Sequence, residues 1–174
     1  MDKNIFFVHA SAICESKNIG SGTRIWAFAH VMKEVSIGAN CNIADHVFIE
    51  DGVRIGDNVT IKNGVSVWDL VEIENNVFIG PNVVFTNDLI PRQKKTNKFK
   101  HFRKTVVKDG CTIGANATII CGITLNENSF IGAGSIVTKD VLPNELVFGN
   151  PARHAGWICE CGEKTEEIYD VCKH

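Results

Sequence analysis

An aliphatic residue recurs every six positions along most of this chain, and this spacing restricts the possible folds more than any other feature of the sequence. The series is predicted to begin at Ile13, and Phe85 holds its last place before an interruption. It resumes in a new phase at Val107 and ends at Val137. The positions between these limits are Ile19, Ile25, Val31, Ile37, Ile43, Ile49, Ile55, Ile61, Val67, Ile73 and Ile79, then Ile113, Ile119, Leu125 and Ile131.

A second, smaller side chain follows four residues after each aliphatic residue from Val31 onward and is also expected to be buried. These positions are Val35, Cys41, Val47, Val53, Val59, Val65, Val71, Val77, Val83, Cys111, Ala117, Ile123, Ser129, Ser135 and Val141. A helix cannot keep a six-residue repeat on one face, because it has about 3.6 residues per turn. A short strand followed by a corner can, and β-branched residues suit such strands.

Glycine and asparagine follow many of the aliphatic residues, as in IGAN, IGDN, IGPN and IGAG. Both residue types tolerate the positive φ values that tight corners require. The pattern therefore predicts a parallel β-helix, in which each coil pairs with its neighbours at the strand spacing of about 4.8 Å.

In these motifs the sequence resembles the hexapeptide-repeat acyltransferase family over about residues 10–155. The resemblance implies an all-β fold, a left-handed parallel β-helix with three hexapeptides per coil. It also implies a homotrimer with sites between subunits. The expected organisation is a β-helix domain over residues 1–155 and a C-terminal tail over residues 156–174. A structural β-helix without catalytic activity is the alternative for the repeat itself.

The interruption separates Phe85 from Val107 by 22 residues, which is not a multiple of six. The chain is therefore expected to leave the coil as a loop over about residues 86–105. Its basic residues are Arg92, Lys94, Lys95, Lys98, Lys100, Arg103 and Lys104. We expect a lid that reaches a neighbouring subunit and neutralises phosphates. A solvated segment and a nucleic-acid-binding patch are the alternatives, although Phe99 and Phe102 are the only aromatic residues near these charges.

A narrower resemblance comes from GPNVVFTND followed by PR, and from IGANATIICGITL, IGAGSIVTKDV and GNPAR. These motifs resemble N-acyltransferases that act on the 3-amino group of nucleotide-linked sugars. The WD and FTND motifs are most similar to those of enzymes that use dTDP-3-amino-3,6-dideoxyhexoses for surface polysaccharides. A subgroup that uses UDP-2-acetamido-3-amino-2,3-dideoxyglucuronate shares most of them. The implied reaction is N-acetylation with acetyl-CoA as cosubstrate and without a metal.

The resemblance assigns Asn87 to the sugar amine. Asp88 is the candidate for removing the amine proton, although turn formation before Pro91 explains an Asn-Asp pair almost as well, and the departing thiolate could take the proton without a dedicated base. His46 and Asp69 are substrate-binding candidates that would face a neighbouring subunit, or plain surface residues. The remaining predicted substrate contacts are Arg24, Trp26 and His30 of TRIWAFAH, which could instead cap the end of the β-helix, and Arg92 of the loop.

Coenzyme A is expected, by the same resemblance, to lie along small residues near the C-terminal end with two cations near its phosphates. The predicted contacts are Gly114, Ala115, Gly132, Ala133, Gly134, Lys139 and Arg153. The glycines serve equally well as structural corner residues.

The charge and composition of the chain limit which binding partners and which cellular compartment are expected. The formal net charge is −2 with mixed signs, so neither nucleic acid nor membrane insertion is expected. No export signal or bilayer-length apolar segment is visible, which predicts a cytoplasmic protein with reduced thiols at its seven cysteines. Cys41 and Cys111 are read as small core residues. The tail carries four nominal zinc ligands, Cys159, Cys161, Cys172 and His174, but their spacing is poor for zinc and no metal is predicted.

Overall fold

The computed structural model of the chain describes residues 5–94, 97, 99–159 and 161–165, and all regular secondary structure in these ranges is β-strand. Most strands are two residues long, as expected for a six-residue unit of strand and corner. In chain order they are β1 Phe7–Val8, β2 Ile13–Cys14, β3 Asn18–Ile19, β4 Arg24–Ile25, β5 His30–Val31, β6 Ser36–Ile37, β7 Asn42–Ile43, β8 Phe48–Ile49, β9 Arg54–Ile55, β10 Thr60–Ile61, β11 Ser66–Val67, β12 Val71–Ile73, β13 Phe78–Ile79, β14 Val84–Phe85, β15 Thr105–Val107, β16 Thr112–Ile113, β17 Thr118–Ile119, β18 Thr124–Leu125, β19 Phe130–Ile131, β20 Ile136–Val137, β21 Glu145–Gly149, β22 Ala152–Ile158 and β23 Lys164–Thr165.

Every third strand pairs with the next in parallel, so that the chain winds through three sheets in turn. Sheet A has the order β1-β4-β7-β10-β13-β16-β19-β21-β22-β23, sheet B has β2-β5-β8-β11-β14-β17-β20, and sheet C has β3-β6-β9-β12-β15-β18. Only the pairs β21 with β22 and β22 with β23 are antiparallel among the described strands. The architecture is the predicted left-handed parallel β-helix, closed at its C-terminal end by the last three strands.

The core is a set of aliphatic columns that run along the β-helix. In sheet A, Ile25, Ile43, Ile61 and Ile79 lie in register and are fully buried. Contacts between neighbouring coils usually join residues 18 apart, but contacts across the loop join residues 34 apart. The 16 additional residues are those that leave the coil, so the predicted loop is confirmed.

At the two ends of the β-helix, Ile13 and Val141 depart from the predicted core pattern. Ile13 does not begin the buried series, because it is 57% exposed and Cys14 pairs with Val31 instead. The first coil is one residue shorter than the others, which shifts its register. At the other end Val141 is buried, but it bridges Leu125 in parallel instead of filling a second position after Val137.

The corners carry positive φ values, mostly at glycine and asparagine as predicted. The asparagines in this conformation are Asn40, Asn58, Asn76, Asn82, Asn116, Asn128 and Asn144. Three larger residues share the conformation, namely Phe28, His46 and Leu70. Such backbone angles are uncommon for bulky side chains. No helix long and apolar enough to cross a membrane occurs in the described ranges.

Candidate active site

The projecting loop begins at the bulkiest side chain of the core. Phe85 is 1% exposed and pairs with Ile119 of the next coil. The hydroxyl of Thr86 donates to the Ile119 carbonyl at 3.4 Å and accepts from the Cys121 N–H at 2.9 Å. These contacts anchor the chain on the coil immediately before it departs, and so fix the position of the next residue, Asn87.

The two arms of the loop meet at its base in a short antiparallel ladder. The Arg103 N–H donates to the Asn87 carbonyl at 2.9 Å, and the Leu89 N–H donates to the His101 carbonyl at 3.1 Å. Asp88 lies opposite Phe102 in an antiparallel bridge. The Asn87 side chain is half-buried, and its amide makes no hydrogen bond within the described part of the chain. Its backbone is therefore held while its side chain is available to a ligand.

Asp88 takes part in the turn that opens the loop. Its Oδ1 atom accepts a hydrogen bond from the Ile90 N–H at 3.0 Å. This is the turn that sequence reasoning gave as the alternative to a catalytic role. The carboxylate thus has a structural function in the turn, and its role toward the substrate amine stays a prediction.

Asp69 lies one coil before Asn87 in the register that pairs Ser66 with Val84. Its N–H donates to the Glu50 carboxylate at 2.8 Å, and its own carboxylate accepts from the Leu70 N–H at 2.7 Å. These bonds stabilise the corner at Leu70. A direct contact between Asp69 and substrate stays a prediction.

An aromatic ladder on the outside of sheet B leads toward the base of the loop. His30 contacts Phe48 at a ring-centroid distance of 5.5 Å, and Phe48 contacts Trp68 at 5.6 Å. His30 Nε2 also lies 3.0 Å from a carboxylate oxygen of Glu15. His30 therefore lies on sheet B three strands before β14, the strand that leads into Asn87.

The other N-terminal candidates lie elsewhere. Arg24 and Trp26 are on sheet A, where the Trp26 indole N–H donates to Asn42 Oδ1 at 2.8 Å and the ring contacts Phe7 at 5.5 Å. These contacts are those expected of residues that cover the first coils. The structure does not bring Arg24 or Trp26 to Asn87 within one subunit.

His46 and Arg92 occupy two further places. His46 lies on the corner between sheets A and B, where its ring stacks on Phe28 at 5.0 Å with an interplanar angle of 15°. Arg92 is exposed in the loop.

Sequence reasoning missed both Thr86 and Phe28. Phe28 could have been found, because it stands at a coil position that later coils fill with glycine or asparagine.

The basic charge of the loop is only partly neutralised. Lys104 pairs with Glu72 at 2.8 Å, and the Arg103 guanidinium donates to the carbonyls of Lys100 and Phe102 at 3.1 and 2.8 Å. Lys94 and Lys100 are exposed, whereas Lys95 and Lys98 lie outside the described residues. The loop base thus presents positive charge beside Asn87.

A cavity of about 290 Å³ lies at the C-terminal end of the β-helix, and two of its lining residues are Lys139 and Arg153. A pair formed by His154 and Glu145, with 2.9 Å between nitrogen and oxygen, also lines it. Two exposed cations at the mouth of a cavity can bind phosphate groups. The structure therefore brings together the two cations predicted for coenzyme A.

The five small residues predicted to contact coenzyme A do not line this cavity. A side chain at Gly114 would lie 2.5 Å from the Ala133 nitrogen, and one at Gly132 would lie 2.7 Å from Phe148 Cβ. Coil packing thus requires these two glycines. Gly134 differs, since the space around it is open, while Ala115 and Ala133 are the residues next in chain to Gly114 and Gly132.

The cysteines fall into two groups. Cys111 and Cys41 are fully buried core residues as predicted, and burial raises the pKa of the Cys111 thiol to about 12. The sulfur atoms of Cys159 and Cys161 lie close together in the tail, where the expectation of reduced thiols stays a prediction. Cys172 and His174 lie outside the described residues. Within the described ranges, no three potential ligands from His, Cys, Asp and Glu are grouped to hold a metal.

The sequence matches the family described as bacterial transferase hexapeptide (six repeats) over residues 16–51, 52–87 and 104–139. These ranges cover more than half of the chain. The chain belongs to this family. The gap between the second and third matched ranges coincides with the projecting loop.

Three relatives show how far the similarity extends. The dTDP-3-amino-3,6-dideoxy-alpha-D-galactopyranose 3-N-acetyltransferase of Aneurinibacillus thermoaerophilus is 52% identical over 93% of this chain and 83% of its own length. A hexapeptide-repeat acetyltransferase from Vibrio cholerae O1 biovar eltor, solved with acetyl coenzyme A, is 26% identical with a TM-score of 0.55 and 67% coverage of both chains. The acetyltransferase domain of PglB from Neisseria gonorrhoeae FA1090 shares the fold, with a TM-score of 0.63 and 17% identity over 88% of this chain and 58% of that chain.

Proposed function

We propose that this protein transfers an acetyl group from acetyl-CoA to the 3-amino group of a dTDP-linked 3-amino-3,6-dideoxyhexose. The observation that carries the proposal is the 52% identity, over 93% of the chain, to a relative named for that reaction on the galacto sugar. The anchored loop base supports it, because it holds Asn87 with a free amide beside uncompensated positive charge.

Acetyl-CoA supplies the acetyl group as a thioester, whose thiolate leaves as the new amide bond forms. For this reaction the protein must bind the amine in its neutral form and align it with the thioester carbonyl carbon. It must also exclude binding geometries that do not lead to reaction. In the proposal the Asn87 side-chain oxygen accepts a hydrogen bond from the sugar amine and directs the nitrogen lone pair at the thioester carbonyl carbon. The carbon–nitrogen bond forms, the carbon–sulfur bond breaks, and the amine proton ends on the departing thiolate.

Asp88 is the candidate for carrying that proton for part of the path. Its Oδ1 atom accepts a hydrogen bond from the Ile90 N–H, which holds the carboxylate at the base of the loop, next to Asn87. The substrate diphosphate would be neutralised by the basic loop, including Arg92. Coenzyme A phosphates would be held by Lys139 and Arg153 at the cavity of about 290 Å³.

The proposal also includes a homotrimer in the cytoplasm. Several apolar side chains are exposed around the loop and on the coil below it, namely Phe78, Val84, Leu89, Ile90 and Phe99. Large exposed apolar side chains that cluster on a surface are typical of interaction sites. In the trimer, such residues would contact a neighbouring subunit and the loop would close a site that two chains share.

The activity is tested by supplying acetyl-CoA with dTDP-3-amino-3,6-dideoxygalactose and measuring coenzyme A release with a thiol reagent. A parallel reaction contains UDP-2-acetamido-3-amino-2,3-dideoxyglucuronate. We expect release with the dTDP-linked acceptor and at least about 100-fold lower kcat/KM with the UDP-linked one. Preference for the UDP-linked acceptor, or no release with either, would contradict the proposal.

The role of Asn87 is tested with Asn87→Ala, and Asn18→Ala on the exposed face of sheet C is the matched control. We expect Asn87→Ala to lower kcat by about 100-fold, because a lost hydrogen bond to the reacting group costs about 2.7 kcal/mol. The control should retain wild-type kcat, and both variants should keep the wild-type mass in sedimentation. Unchanged kinetics in Asn87→Ala would remove that residue from the site.

A further inference from the structure

One corner of the β-helix carries two rings where the other coils carry small or amide side chains. The corner between sheets A and B repeats once per coil at Phe28, His46, Gly64, Asn82, Asn116 and Gly134. All six residues have φ between 57° and 76°. Asparagine and glycine adopt this conformation readily, and the last four coils use only these two.

Phe28 and His46 adopt the same positive-φ backbone conformation. The energetic cost of this conformation is not offset by burial of either side chain in the core. Both have φ of 60°, which is rare for large side chains. Phe28 is 61% exposed and His46 is exposed as well, so neither contributes to the hydrophobic core. Strained residues of this kind are found preferentially at binding and catalytic sites.

The two rings form a parallel stack along the axis of the β-helix. Their centroids are 5.0 Å apart with an interplanar angle of 15°, close to the coil spacing of about 4.8 Å. Phe28 covers the face of His46 that looks toward the N-terminal end. The opposite face of the imidazole therefore looks toward the next coil, where the corner residue is Gly64.

Gly64 has no side chain of its own, and the Asn82 side chain reaches into the place that a Gly64 Cβ would take. The side-chain oxygen of Asn82, one coil further, lies 2.5 Å from where a Gly64 Cβ would be. A planar ring stacked on His46 would thus have an amide group at its edge. Stacking on an aromatic face, with a hydrogen-bonding amide beside it, is a common way to bind a nucleobase.

A cation lies beside the same place. Lys62 precedes Gly64 by two residues on the outside of sheet A, with Ala44 and Gly80 at the corresponding positions of the neighbouring coils. In the described part of the chain, no carboxylate lies within 4.0 Å of the Lys62 ammonium. This charge can bind a phosphate group of the same ligand.

We infer that the exposed face of His46 binds the nucleobase of the nucleotide-linked acceptor, with Phe28 supporting the imidazole from behind. The Asn82 amide would contact the edge of the base, and Lys62 would pair with the diphosphate in addition to the cations of the basic loop. That the ligand is a nucleotide rests on the proposed function. The stacking geometry is independent of the sugar and of acetyl transfer.

The test measures dTDP binding by calorimetry to the wild type, His46→Asn and His46→Phe. Base stacking on an aromatic ring contributes about 1–3 kcal/mol, so His46→Asn should weaken dTDP binding by at least about tenfold. His46→Phe keeps the platform and should bind dTDP within about threefold of the wild type. Inorganic pyrophosphate, which has no base, should bind all three proteins equally.

Leu70→Asn is the matched control, because Leu70 has φ of 69° at a different corner. Both Leu70→Asn and His46→Asn place a residue that tolerates this conformation, so neither should lower the unfolding temperature. Only His46→Asn should weaken dTDP binding.

Three results would overturn the inference. They are wild-type dTDP affinity in His46→Asn, an equal loss of affinity in His46→Phe, and a fall in oligomeric mass of His46→Asn, which would make the corner a subunit contact. Because binding is measured with dTDP alone, a failure of acetyl transfer in the wild type would count against the proposed function and leave this comparison intact.

Discussion

The coils and the loop of this protein are held by contacts of opposite kinds. In the interior coils, each strand is paired on both sides and each aliphatic side chain is stacked between similar ones, as with Ile43 between Ile25 and Ile61. In the loop, the backbone ladder is confined to the base, and Leu89, Ile90 and Phe99 are exposed. A repeated local pattern thus supplies the stability of the protein, while the loop is free to serve a ligand or a neighbouring subunit.

The largest expected effect is loss of activity when the loop is shortened. Asp88 and Phe102 lie opposite each other in an antiparallel bridge, so residues 89–101 can be replaced by a two-residue Asn-Gly turn. We expect kcat/KM for the dTDP-linked acceptor to fall by at least about 10⁴-fold, or about 5.5 kcal/mol, because substrate positioning is lost. The unfolding temperature, measured by calorimetry, should change by less than about 4 °C. Activity within tenfold of the wild type would show that the loop has no role in the site.

Phe85→Ala tests the opposite side of the comparison, because it removes the largest buried side chain directly below the loop. We expect the free energy of unfolding to fall by about 3–5 kcal/mol, since a fully buried phenylalanine leaves a cavity in a close-packed core. Denaturant titration measures the loss. Val84→Ala, one residue earlier and 49% exposed, is the control and should cost less than about 1 kcal/mol. Equal losses in the two variants would contradict the assignment of Phe85 to the core.

Asn116→Ala tests the corners that join the coils. Asn116 has φ of 57°, and an alanine in this conformation costs about 1–2 kcal/mol. Denaturant titration should detect this loss, whereas Asn18→Ala, on a strand of sheet C, should be nearly neutral. A neutral Asn116→Ala would mean that the corner backbone can relax without cost.

The smallest expected effect comes from the ion pair at the end of the loop. Lys104 lies 2.8 Å from Glu72, but the two side chains are 52% and 38% exposed. Solvent screening reduces such a pair to about 0.5 kcal/mol, so Lys104→Met should lower stability by no more than this amount. The difference should disappear in 1 M salt, where the Debye length is about 3 Å. A loss that persists at high salt would show that packing of the lysine stem, and not charge, stabilises the end of the loop.

Much of the fold was predictable because the residues of each six-residue unit specify its strand and its corner through local conformation and side-chain size. The aliphatic series between Ile19 and Val137 matches the observed core, and the length of the interruption gave the limits of the loop. The errors are at the ends of the β-helix. Ile13 has no complete coil before it, so the register there depends on how residues 5–12 fit and not on the repeat.

The candidate site was predictable only in part. Asn87 and Asp88 were singled out because their motif stands where the repeat stops, and their roles stay predictions. The Thr86 anchor and the stack of Phe28 on His46 were not found, since each joins residues of different coils. A scan of the sequence at 18-residue spacing, which aligns His46 with Gly64 and Asn82, would have shown the second of them.

The sequence alone determined the β-helix, its core columns and the place where the chain leaves them. This was possible because stacking of identical short units requires only local conformation and side-chain volume. The tertiary structure decided which side chains meet across coils, such as the hydroxyl of Thr86 with the backbone of Cys121 and the ring of Phe28 with that of His46. These contacts depend on the register between neighbouring coils, because a shift of one residue moves every side chain to a different face.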